Sequence, residues 1–117
     1  QNDPENAKVL EDVLNDSVNW LTGLTEGCLY KEAIDHEKEF ALEHQASALS
    51  KKPLLCITGS LDICTTKKEH LQPVLDAIKS FGGTMTSTLE YPTDHFFSDY
   101  RLEICDVVTG FFKNLTA

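Results

Sequence analysis

The sequence predicts an α/β fold, with a parallel pair of strands and flanking helices behind a helical front segment. Three observations carry that expectation. Pro53-Leu54-Leu55-Cys56-Ile57 is a short, continuously apolar run, the pattern of a strand covered on both faces. Leu71, Val74, Leu75 and Ile78 then recur at helical spacing. Met85, Ser87, Leu89 and Tyr91 alternate with Thr84, Thr86, Thr88 and Glu90, the period-two pattern of a half-covered edge strand. A strand, a crossover helix and a second strand imply a parallel pair with a right-handed connection.

Taken in order, the front segment opens with Asp3 as N-cap and Pro4 at the first helical position. Val9, Leu10, Val13, Leu14, Val18 and Leu21 follow at helical spacing, so one face of this helix is expected to be buried. Residues 23–35 hold Gly23 and Gly27 with weak periodicity and read as irregular, and a second, more polar helix is expected over Asp35 to Leu49. Beyond the first strand, Thr66 and Glu69 form the S/T-x-x-E capping pattern, and Gly82-Gly83 stop the helix that begins there. Ile104, Val107, Val108, Phe111, Phe112 and Leu115 then form the apolar stripe of a terminal helix expected to start near Ser98 or Asp99. Phe111 and Phe112 are expected to be core residues, and Trp20 and Tyr30 to pack against the first helix in preference to the alternative of lining a lid.

Two strands alone expose too much backbone edge to be stable. The neighbours are therefore expected on another part of the same protein or on a second copy of the chain. The boundary expected from the change in character divides the chain into 1–52 and 53–117.

Composition narrows the function. A formal net charge of -9 argues against a nucleic-acid or anionic-membrane surface, both of which require clustered Lys and Arg. No apolar run approaches the length of a membrane span, and the polar opening Gln1-Asn2-Asp3-Pro4-Glu5 does not read as a signal peptide. Cys28, Cys56, Cys64 and Cys105 lie far from the C-x-x-C spacing of zinc or redox sites and are read as free thiols, Cys56 and Cys105 packing as small hydrophobes. That predicts a reducing, cytoplasmic compartment. The sequons Asn15-Asp16-Ser17 and Asn114-Leu115-Thr116 arise often by chance and carry little weight. His36 and His44, with Glu32, Glu39 and Glu43, are most simply a solvated helix face rather than a metal set.

Parallel α/β sheets gather their functional groups in loops at the carboxyl ends of strands. Two polar clusters occupy those places, Thr58-Gly59-Ser60-Leu61-Asp62 and Tyr91-Pro92-Thr93-Asp94-His95. Adjacent parallel strands would bring Asp62 and His95 to one sheet edge, close enough for a carboxylate–imidazole hydrogen bond. Read without context, Asp62 is a turn carboxylate bonded to nearby amides and His95 a loop histidine satisfied by Asp94. Asp94 itself reads as a turn or cap residue.

The pattern resembles the end of the α/β-hydrolase family. The likeness rests on Gly59-Ser60-Leu61-Asp62-Ile63-Cys64-Thr65 after an apolar strand, on Gly82-Gly83 before the next strand, and on Tyr91-Pro92-Thr93-Asp94-His95-Phe96-Phe97-Ser98-Asp99-Tyr100-Arg101. It covers residues 53–117 well and 1–52 loosely, and within the family it is similar to the esterase and prolyl-oligopeptidase-like branch of serine hydrolases. The resemblance implies that 53–117 is the C-terminal strand-helix-strand-helix part of that fold and 1–52 a connection or lid-like segment. It implies that Asp62 is the acid and His95 the base of a Ser-Asp-His triad acting on a small-molecule ester, thioester or peptide, without a cofactor.

One departure bears on mechanism. The G-x-S-x-G elbow that should precede both residues does not occur, and Ser60 follows Gly59 without the second glycine. Loss of the nucleophile alone costs on the order of a millionfold, so this chain by itself is expected to be inactive. The serine, the oxyanion hole and most of the sheet are expected on an upstream segment. The alternative is a non-catalytic interaction or dimerisation module, and a transferase or lyase on the same fold is a third reading.

Overall fold

The computed structural model describes residues 4–116. The chain is mixed α/β and forms two compact units, one ending at Ala41 and the other beginning at Leu42.

The first unit is helical. Helix α1 spans Pro4–Val18, with Pro4 at its start as expected; the proposed N-cap Asp3 lies outside the described residues. No residue of α1 is fully buried. The expected apolar face is open at Val9, Leu10, Val13 and Leu21, and Ala7, Glu11, Leu14 and Val18 make a half-buried stripe, with Asn15 and Ser17 half-buried beside it. Trp20 is 87% exposed instead of packed, whereas Tyr30 is half-buried. Residues expected to be irregular contain helix α2, Cys28–Asp35, which starts at Gly27 in the left-handed region (φ 78°). The Gly27 amide donates to Asn15 Oδ1 at 2.8 Å and ties the start of α2 to α1.

The single polar helix expected over 35–49 is three pieces. Helix α3 covers Glu37–Phe40, a 3-10 turn covers Leu42–Gln45, and helix α4 covers Ala46–Leu49. Ala41, extended at ψ 117°, makes the break. Alanine favours helix, so local propensity does not explain it; packing does, because Ala46 and Leu49 join the core of the second unit.

That second unit is a strand-helix-strand-helix sequence. Strand β1, Leu54–Gly59, pairs in parallel with strand β2, Thr86–Tyr91, from Leu54 opposite Thr86 to Gly59 opposite Tyr91. The crossover begins with a π-helical turn, Lys67–Leu71, and continues as helix α5, Gln72–Ser80. Thr66 is the N-cap, accepting from the Glu69 amide as the capping pattern predicts. Pro73 lies in the first turn of α5, where its missing N–H costs least. The stop is a Schellman motif: Gly82 (φ 75°) donates to the Lys79 carbonyl at 2.9 Å and Gly83 to that of Ile78 at 3.0 Å.

The core is small, Ala46, Val74 and Ile78, with Leu49, Leu54 and Ala77 against it. Strand β1, expected to be covered on both faces, is only half-buried from Leu54 to Thr58. In β2, Met85 just before the strand and Leu89 within it are exposed, in keeping with a sheet that has two strands among the described residues. Helix α6, Arg101–Leu115, starts later than expected because Ser98–Tyr100 form a turn. Its stripe is half-buried at Ile104, Val107, Val108 and Phe111; Phe112, expected in the core, is exposed and meets Phe111 edge-on.

Candidate active site

The parallel register ends with Gly59 opposite Tyr91, so the two loops that follow leave the same edge of the sheet. Backbone bonds lace them together. Ser60 donates to the Tyr91 carbonyl at 2.8 Å, Leu61 to that of Thr93 at 3.1 Å, and Asp62 turns back to that of Gly59 at 3.2 Å. Only glycine fits where the loops cross, because a Cβ on Gly59 would stand 2.5 Å from the Thr93 carbonyl oxygen.

This crossing delivers Asp62 to His95, at 3.0 Å between Oδ2 and Nδ1. The Asp62 side chain is 5% exposed and that of His95 44% exposed, a buried acid beneath an accessible ring. Asp62 is fully engaged: Oδ1 accepts from the amides of Cys64 (2.8 Å) and Thr65 (2.9 Å), and Oδ2 from the Thr65 hydroxyl (2.5 Å) as well as from His95. The Thr65 hydroxyl and amide, then the imidazole, hold the carboxyl well below the usual carboxylate range. An ionised carboxylate only accepts, so the proton of the neutral ring sits on Nδ1. Nε2 is left with its lone pair and has no partner among the described residues.

Asp94, expected to be a turn or cap residue, closes the turn that follows it, while the N-cap of α6 is Tyr100. Its carboxylate accepts from the amides of Phe96 (3.0 Å) and Ser98 (3.1 Å) and from the Ser98 hydroxyl (2.8 Å). The Ser98 amide and hydroxyl lower its pKa, with Arg101 adding positive charge. Within this loop Phe97 takes a left-handed backbone (φ 53°), a conformation that costs energy in a phenylalanine, and Arg101 Nε donates to the Phe96 carbonyl at 3.2 Å. The Phe96 ring meets the His95 ring edge-on at 5.4 Å.

Thr65, Gly59 and Thr93 shape the site in ways that residue spacing did not reveal. Thr93 is 1% exposed and its hydroxyl has no partner among the described residues. A T-x-x-D pattern read backwards from Thr65 to Asp62 is a weak signal, since Ser and Thr near an Asp commonly close local turns.

A nucleophile elbow strains the nucleophile's own backbone. Phe97 is the one non-glycine with positive φ among the described residues, so none of their serines, threonines or cysteines stands on such a turn in that conformation. Gly23-Leu24-Thr25-Glu26-Gly27 has the elbow's glycine spacing with threonine in the middle, but it joins α1 to α2 and not a strand to a helix.

All four cysteines are free; burial raises the Cys56 thiol, while Cys105, expected to be packed, is exposed. His36 faces Glu39 at 3.1 Å and Glu32 at 3.6 Å on exposed helical turns, and among the described residues no group of three or more potential metal ligands gathers. No helix among them is long and apolar enough to cross a membrane. A depression of about 390 Å³ lies beside α5 and β2, lined by Leu75, Ile78, Gly83, Thr84, Thr86 and Thr88 among others, and does not include Asp62 or His95.

Comparison with protein-family models, with curated proteins and with solved structures gives no match. The functional reading therefore stands on the geometry of the site.

Proposed function

We propose that Asp62 and His95 are the acid and base of a Ser-Asp-His triad, and that the protein is a serine hydrolase of the α/β-hydrolase fold, acting on a small-molecule ester, thioester or peptide. The observation that carries this is the 3.0 Å bond from a buried, fully engaged carboxylate to Nδ1 of an accessible imidazole, at the carboxyl ends of adjacent parallel strands. In this reading His95 Nε2 takes the proton of the attacking serine and returns it to the leaving group, while Asp62 orients the ring and stabilises the imidazolium. Acyl transfer of this kind requires no cofactor. The serine and oxyanion hole lie outside these 117 residues, on a part of the fold that also supplies the missing sheet neighbours; residues 1–52 are the connection or lid-like segment. Four free thiols fit a cytoplasmic location.

The test is turnover of ester substrates by the longest natural form of the protein. His95→Ala is expected to lower kcat by several orders of magnitude and Asp62→Asn by about ten-thousandfold, with the fold preserved. Normal turnover in both variants would sink the triad. A non-catalytic interaction module is favoured by one observation, the open apolar surface of α1 and Trp20; for that reading neither substitution changes partner binding.

A further inference from the structure

Asp62 and His95 share a third partner. Thr65 Oγ1 stands 2.5 Å from Asp62 Oδ2 and 3.3 Å from His95 Nδ1, and those two atoms are themselves 3.0 Å apart. Three polar atoms thus close a triangle in which the protons can be assigned. The carboxylate cannot donate, so the single hydroxyl proton points at Oδ2, and toward Nδ1–H the same oxygen can only accept. We propose that Thr65 is a positioning residue of the acid–base pair, its hydroxyl clamping the Asp62 carboxylate and giving Nδ1–H of His95 a second acceptor. The inference rests on the reading of Asp62 as the triad acid and deepens it.

The hydroxyl is the part of this arrangement that residue identity controls. The amides of Cys64 and Thr65 reach Asp62 Oδ1 whatever side chains those positions carry. A hydroxyl bonded to a carboxylate is charge-assisted and stronger than a neutral pair, and it stabilises the ionised form alone. The Thr65 hydroxyl is the largest cause holding Asp62 below the ordinary range, ahead of His95. Other charged groups around the pair are committed elsewhere: Asp94 to Ser98 with Arg101 nearby, and Lys67 to Glu90 at 3.7 Å. Thr65 is itself exposed, and valine matches its shape, so the substitution removes a hydroxyl without opening a cavity.

The experiment follows the side-chain carboxyl carbons by NMR through an acid titration of the longest natural form of the protein, with Asp62→Asn identifying the Asp62 resonance. Thr65→Val is expected to move the Asp62 titration up by roughly one unit, Thr65→Ser to leave it in place, and Asp94 to titrate unchanged in both as the mark of an intact fold. A Thr65→Val chain titrating like the unsubstituted one overturns the inference. So does a Thr65→Ser chain that shifts as far, or a shift shared by Asp94. In the longest natural form, Thr65→Val lowers kcat with KM unchanged and Thr65→Ser restores it. Absence of hydrolysis by the unsubstituted protein would instead end the hydrolase reading, and the titration would still decide what the Thr65 hydroxyl does.

Discussion

Gly59 and the Thr93 carbonyl show how little room the site leaves. With a Cβ at 2.5 Å from that oxygen, Gly59→Ala has to push the two loops apart. The expected cost is about 2 kcal/mol of stability, typical of overpacking. Because the displaced loops carry Asp62 and His95, turnover should fall on the order of a hundredfold. Urea unfolding and ester kinetics on the variant check both. The carboxylates make a second prediction. Asp62 and Asp94 have folded-state pKa values below their unfolded ones, so their contribution to stability is complete above the unfolded value and is lost as pH falls through the folded one. Stability should therefore decline on acidification from about pH 4 downward, and Asp62→Asn should flatten that decline. A pH series of unfolding midpoints for both chains measures it; an unchanged acid limb in the variant would refute the link. The Asp62–His95 pairing was legible in the sequence because both residues follow strands of a predictable parallel pair. Thr65 was not, since its hydroxyl matters through distances that only the folded loop creates.

Among the elements, α5 supplies two of the three buried apolar residues described in its unit, Val74 and Ile78. Ile78 is 2% exposed and touches the close glycine of the helix stop, where a Cβ on Gly83 would come 2.5 Å from Ile78 Cγ2. Ile78→Ala is expected to cost about 3 kcal/mol, a large share of what so small a core supplies, and chemical denaturation of the variant reads it directly. Strand β1 could be read from its continuous apolar run, and helix α5 and strand β2 from one strong period each, with clear punctuation between them, Thr66 at the start of the crossover and Gly82-Gly83 at its stop. The segment from 35 to 49 could not. Its polar character suggested one helix, but Ala46 and Leu49 are pulled into the core beside Val74 and Ile78 and the chain breaks at Ala41. Helix α2 was hidden for a different reason: eight residues between the left-handed glycine at 27 and His36 are too few to show a period.

Among the described residues, three buried apolar side chains, Ala46, Val74 and Ile78, stand against a long set of exposed ones that includes Ile63, Leu102, Phe96 and Trp20. Such surface on an acidic chain is the mark of faces that expect cover. The expectation of buried faces on α1, on β1 and at Phe112 failed because amphipathic patterning says that a face is apolar without saying what covers it. The proposed hydrolase accounts for this surface and for the acid–base pair together, by placing the serine and the remaining strands on another part of the fold. Reaction with a fluorophosphonate, read by intact and peptide mass, tests that claim most directly. A single labelled serine is expected in the longest natural form, outside residues 1–117, with labelling lost in His95→Ala and none on the 117-residue chain. No labelling of the long form, or labelling that persists undiminished in His95→Ala, would contradict it.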